Sequence, residues 1–122
     1  MSSRSVDKKA SEEYKEISLA AEKGDNKAKT KLAWFKLSGC GGAKVDRDGA
    51  FTLLLERAKD GDAEAMWMLG LCFEYGMGCE QEIEKAEVLY LLSSMRGSSI
   101  GRFLILSDKG ERGSGKAQMN SL

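Results

Sequence analysis

The 122-residue chain contains no histidine and no proline. Without histidine it lacks the commonest general base and the commonest metal ligand, so imidazole proton relays and His-ligated zinc are excluded. Without proline no helix is ended by ring geometry, and every break must come from glycine or from capping. There is also no charge of one sign in excess: nineteen Lys and Arg balance nineteen Asp and Glu. That balance removes the electrostatic case for a nucleic-acid or anionic-membrane partner. No run approaches the ~20 apolar residues of a membrane span. The first sixteen residues, MSSRSVDKKASEEYKE, are charged and have no apolar core, so no signal peptide is expected. The three cysteines, Cys40, Cys72 and Cys79, are odd in number and follow no zinc spacing. These features together predict a soluble cytoplasmic protein with reduced thiols and no membrane or nucleic-acid partner.

What is present is 42% hydrophobic and 31% charged residues, typical of a folded domain, together with 14 glycines. The glycines recur with a period. Gly24-Asp25, Gly61-Asp62 and Gly97-Ser98 follow similar segments, at intervals of 37 and 36 residues. At the same 37-residue shift Ala28 matches Ala65, Leu32 matches Leu69, Gly39 matches Gly76 and Gly41 matches Gly78. After the loop the shift is 36, pairing Asp46 with Glu82, Ala50 with Ala86 and Ala58 with Ser94. One extra residue after Gly41 accounts for the change.

Each period holds two helices. In the second, an A helix runs from an Asp62 N-cap to Gly76, with Ala65, Leu69, Cys72 and Phe73 at helical spacing on one face. Gly76-Met77-Gly78 ends it, since glycine accepts the positive φ of a helix C-cap. A B helix then opens at Glu82 and closes at Gly97, with Ala86, Leu89, Tyr90 and Ser93 on its buried stripe. Small residues at Ala65, Gly70 and Ala86 predict close approach of helix axes.

The order Ala65, Leu69, Gly70, Phe73, Gly76, Gly78, Glu82, Lys85, Ala86 resembles the Sel1-like repeat, a relative of the tetratricopeptide repeats. The first repeat keeps Ala28, Leu32, Gly39, Gly41, Asp46 and Ala50, but has Ala33, Lys36 and Gly49 where that pattern has glycine, aromatic and lysine. The resemblance covers about residues 13 to 106. It implies an all-α solenoid of antiparallel helix pairs, about six helices in the order B, A-B, A-B, A. Two full repeats are then flanked by half-repeats, with Gly101, Ile105 and Leu106 poor matches in the last A helix. The expected boundaries are an unstructured segment at 1–9, a solenoid over 10–107 and an unstructured tail at 108–122.

Three chemical readings compete with a structural one. The tail places Gly110, Gly115 and Lys116 in a near match to a phosphate-binding loop, but Ala117 stands where magnesium needs a hydroxyl. The cysteines lack a partner base, and the acidic set Glu80, Glu82, Glu84 and Glu87 lacks a calcium-loop pattern. A charged, ion-paired helix surface accounts for Lys8, Lys9 and Lys15 beside Asp7, Glu12, Glu13 and Glu16. No catalytic residue, cofactor site or metal site is therefore expected.

The expected function is a non-catalytic adaptor or scaffold that holds a protein or peptide on the concave face of the A helices, a role the resemblance also implies. Stepping along those helices gives Thr30, Trp34 and Leu37 in the first repeat and Trp67, Leu71 and Glu74 in the second. Trp34, Leu37, Trp67, Leu71 and Glu74 are the candidate partner-binding residues, with Lys27, Lys31 and Lys36 as a rim. Packing between repeats is the competing reading for both tryptophans. The alternatives are nucleotide binding at Gly110 to Lys116, and a structural fragment of a longer array that stacks or self-associates through its terminal helices.

Overall fold

Gly24, Gly61 and Gly97 carry φ of +98°, +93° and +96° in the computed structural model, which describes residues 2–108 and side chains over 12–107. The periodic glycines thus mark one turn used three times. In each turn the following residue donates its N–H five residues back, from Asp25 to Ala20, Asp62 to Arg57 and Ser98 to Ser93, at 3.0–3.1 Å. This is the helix-ending bond pattern that needs a left-handed residue at its corner. The same following residues then cap the next helix. Asp25 accepts from the Ala28 N–H at 3.1 Å, Asp62 from Glu64 at 3.0 Å, and Ser98 from Gly101 at 3.1 Å. One dipeptide therefore ends a B helix and starts an A helix.

Among the described residues six α-helices result: α1 (Ser2–Glu22), α2 (Asn26–Ser38), α3 (Arg47–Lys59), α4 (Ala63–Tyr75), α5 (Ile83–Met95) and α6 (Ser99–Asp108). There is no strand among the described residues. The expected B, A-B, A-B, A order is realised, with α2, α4 and α6 as A helices. Each helix packs on its neighbour in sequence, and the A helices also touch one another, so the architecture is a two-layered helical array. Helix α1 begins at Ser2, ahead of the expected solenoid start at residue 10. The expected tail, including the phosphate-loop-like Gly110 to Lys116, lies outside the described residues.

The A-to-B connections also repeat. Gly39 and Gly76 end α2 and α4 in the left-handed conformation, at φ +79° and +67°. The Asp46 N–H reaches the Lys36 carbonyl, and the Glu82 N–H reaches that of Phe73, both at 2.8 Å. The extra residue of the first repeat is absorbed in a 3-10 turn, Cys40–Gly42, in which Gly42 joins Gly41 at positive φ.

Fully buried Ala33, Leu54, Ala65, Cys72 and Ala86 form the core with Leu69 and Tyr90. Buried Leu and Tyr side chains contribute about 1.5–3 kcal/mol each, so a few such residues per repeat interface support the array. Gly101 has a definite role despite its poor match to the repeat pattern. A Cβ there would lie 2.5 Å from Ser93 Oγ, so the glycine lets α6 close onto α5.

Candidate protein-interaction surface

The A helices turn one face to the B helices and one outward, and the expected binding residues divide between core and surface. Trp34 is half-buried on α2, and its ring meets that of Trp67 on α4 with centroids 5.6 Å apart and planes tilted by 58°. Trp67 is 7% exposed and donates its indole N–H to Glu64 at 2.7 Å. Trp67 thus joins the two repeats, the packing role that competed with binding in the sequence, while Trp34 keeps an exposed edge.

Leu37 departs from the expected outward stripe. It is 5% exposed because it lies four residues after fully buried Ala33 and shares its face. Thr30 is buried as well, donating to Asp62 Oδ2 at 2.5 Å and tying α2 to the start of α4. Leu71 and Glu74 are half-buried, and Glu74 accepts the Tyr90 hydroxyl at 2.6 Å. Of the five candidate residues, the structure brings Trp34 and Trp67 together, leaves Leu71 partly open, and engages Leu37 and Glu74 internally.

Two further aromatic side chains on the A helices are exposed. Phe103 lies 36 residues after Trp67, in the equivalent place on α6, and is highly exposed. Tyr75 lies four residues after Leu71 and is also exposed. The repeat shift from Trp67 to Phe103 was the signal available for the first of these. Lys27 and Lys31 stand exposed on the α2 end of the face, while Lys36 turns toward Asp46 at 4.0 Å.

Asp62 organises a polar knot at the junction of the repeats. It caps α4, accepts from Thr30, and lies 3.8 Å from the Arg57 guanidinium. Arg57 is buried and also bonds Asp60 at 2.7 Å, while its Nε has no hydrogen-bond partner. The knot couples adjacent repeats through charge-assisted bonds, a structural use of polar groups.

The thiols are separate. Cys72 is in the core, where burial pushes its thiol up to about 12, and Cys79 donates to the Cys72 carbonyl at 3.4 Å. Burial raises the Cys79 thiol too, with Glu82 acting in the same direction. Cys40 is exposed in the first A-to-B loop, and all three are free. Among the described residues no helix is long and apolar enough to cross a membrane.

On the opposite side, an open trough of about 450 Å³ runs between α3 and α5 above α4. Leu69 and Phe73 floor it, and Leu55, Val88 and Leu89 form its walls. Lys85 sits over the Phe73 ring at 5.4 Å while pairing with Glu82 at 3.0 Å.

No protein-family model matches the chain, and no curated protein matches it. Solved structures do. A Sel1 repeat protein from Oxalobacter formigenes superposes with a TM-score of 0.68 at 24% identity, over 80% of this chain and 40% of that one. A protective antigen present in uropathogenic Escherichia coli strains, displaying an SLR fold, superposes with a TM-score of 0.64 at 22% identity, over 80% of this chain and 21% of that one. This chain therefore spans less than half the length of each of these two structures. With the glycine-ended helix pairs and the doubled A-to-B bonds, the likeness establishes the architecture: the chain has the Sel1-like repeat fold.

Proposed function

We propose that this chain is a non-catalytic protein-interaction module that holds a protein or peptide segment on the outward, concave side of its A helices. The observation that carries the reading is the position of Trp34. Its ring is anchored against Trp67, yet one edge stays open to solvent. A large, rigid side chain held by a buried neighbour is the kind of group that anchors interfaces at little entropic cost. Leu71, Tyr75 and Phe103 extend the apolar surface along α4 and α6, and Lys27 and Lys31 add a cationic end. The reading thus keeps Trp34 and Leu71 as contact residues, assigns Trp67 to their support, and adds Phe103. The arrangement suits an extended or helical segment with an apolar stripe and an acidic end.

The test is affinity capture from cell extract with wild type, Trp34→Ala and Phe103→Ala, followed by titration of a purified captured protein. Tryptophan fluorescence should shift in the wild type on binding, and both variants should bind at least about tenfold more weakly, the effect of losing one interface anchor. Equal capture by variants that keep their helical signal would place the binding surface elsewhere.

A further inference from the structure

Lys27, Glu64 and Ile100 occupy one place on the three A helices, related by the repeat shifts of 37 and 36. All three are exposed. Lys27 stays open although α4 packs beside α2, and Glu64 stays open although α6 packs beside α4. Stacking therefore leaves this place free, and the helices offer on one row a cation, a carboxylate and an apolar group in turn. Among the described residues neither Lys27 nor Glu64 has an ion-pair partner. A surface carboxylate is ordinarily mobile, but Glu64 is held, because its Oε2 accepts the indole N–H of buried Trp67 at 2.7 Å. Its other oxygen, Oε1, keeps its acceptor capacity, since an ionised carboxylate takes up to about four hydrogen bonds. Glu64 also shares its side of α4 with half-buried Leu71, two helical turns further on.

We infer that Glu64 is the specificity-determining residue of the A-helix face, reading a basic side chain of the bound segment between an acidic one at Lys27 and an apolar one at Ile100. The inference rests on the A-helix binding surface proposed above. The indole bond fixes the carboxylate before binding, so a Lys or Arg that reaches Oε1 meets a preorganised acceptor and only its own side chain is newly ordered. The order of charges also gives the segment a direction across the array. Packed helix axes lie about 8–10 Å apart, which an extended chain crosses in about three residues. The row thus selects an acidic, a basic and an apolar residue at about three-residue intervals, running from α2 to α6. A second acidic residue in the middle would face Glu64, and like charges there exclude the wrong segment. An acid in the first turn of α4 also suits the helix dipole, but that use is indifferent to the charge of a partner.

Binding of the whole chain to an array of short immobilised peptides tests this. Each peptide carries Asp, a central Arg or Glu, and Leu at about three-residue spacing, in both chain directions, on an Ala-Ser background. The wild type should hold the peptides with central Arg about tenfold more tightly than those with central Glu. Glu64→Gln keeps an oxygen for the indole N–H, so it should unfold at nearly the wild-type temperature while losing this preference. Glu64→Lys should reverse it and favour central Glu, a rescue that a purely structural carboxylate does not give. A wild type indifferent to the central residue overturns the inference, and so does either folded variant with the wild-type preference. Trp34→Ala distinguishes this failure from failure of the surface beneath it. Peptide binding that is lost in Trp34→Ala but indifferent to the central residue removes the role of Glu64 and leaves the surface standing. A wild type that holds no peptide, or a Trp34→Ala variant that binds and selects nothing differently while Glu64 is also silent, overturns both.

Discussion

Gly70 of α4 faces the ring of Tyr90 on α5 so closely that a Cβ at residue 70 would lie 2.5 Å from Cε1 of the tyrosine. The ring is 1% exposed, and its hydroxyl is held by Glu74 at 2.6 Å, so it has little room to swing away. Gly70→Ala should therefore lower stability despite the better helix propensity of alanine. Overpacking costs about 1–3 kcal/mol and the propensity gain is about 1 kcal/mol, so a net loss near 1 kcal/mol is expected. Thermal unfolding followed by circular dichroism checks this, and a raised Tm would show that the two helices have slack between them.

The two tryptophans should separate in their effects. Trp67 is buried between the repeats with its N–H bonded to Glu64, so Trp67→Ala should cost about 3–5 kcal/mol. Trp34 keeps an exposed edge and should cost less than half as much. Chemical denaturation of both variants measures the ranking, and equal losses would make Trp34 a core residue and remove it from the proposed binding face.

Much of this architecture was legible because its signals are local. Gly24-Asp25 and Gly61-Asp62 announce themselves, since a helix corner needs positive φ and the next helix needs an oxygen acceptor. The single-residue change of period after Gly41 was equally visible, and Gly42 absorbs it in a 3-10 turn. What stayed hidden depends on which face of a helix its neighbours cover. Leu37 was placed on the outward stripe, although its four-residue offset from Ala33 puts it in the core. Gly101 matches the repeat pattern poorly, yet its missing Cβ makes room for Ser93. The knot of Arg57, Thr30 and Asp62 joins residues up to 32 positions apart and left no local trace, save a lone arginine where the next repeat has Ser93.

That knot makes unequal predictions for its two ends. Asp62→Ala removes the α4 cap, the Thr30 acceptor and a counter-charge of buried Arg57 in one step. A loss of about 3–5 kcal/mol is expected, against ~1 kcal/mol for Asp25→Ala at the simpler cap of α2. Arg57→Met should cost less than Asp62→Ala, because the carboxylates it leaves behind keep other partners: Asp60 is 62% exposed to water, Asp62 still accepts from Thr30 and the Glu64 N–H, and the unpartnered Nε is removed with the cation. Equilibrium unfolding of the three variants decides between this account and one in which the ion pairs dominate.

The thiols predict both a chemical order and a pH dependence. Exposed Cys40 should alkylate first at pH 8, Cys79 later, and Cys72 only as the chain unfolds, which peptide mass spectrometry resolves. Burial holds the Cys72 thiol neutral up to about 12, above its ordinary value of 9.0. A group raised in the folded state contributes stability that is complete below the unfolded value and is lost as pH rises toward the folded one. Between pH 9 and 12 the unfolded chain ionises this thiol while the folded chain does not, so stability should fall by up to ~1.4 kcal/mol per pH unit. Lysines and tyrosines titrate in the same window, so the informative measurement is the difference between wild type and Cys72→Ala. The alanine variant starts lower because of the small cavity it creates, but its alkaline slope should be shallower, and the gap should narrow as pH rises. Parallel curves would mean that the folded protein opens around Cys72 before its thiol is forced to ionise.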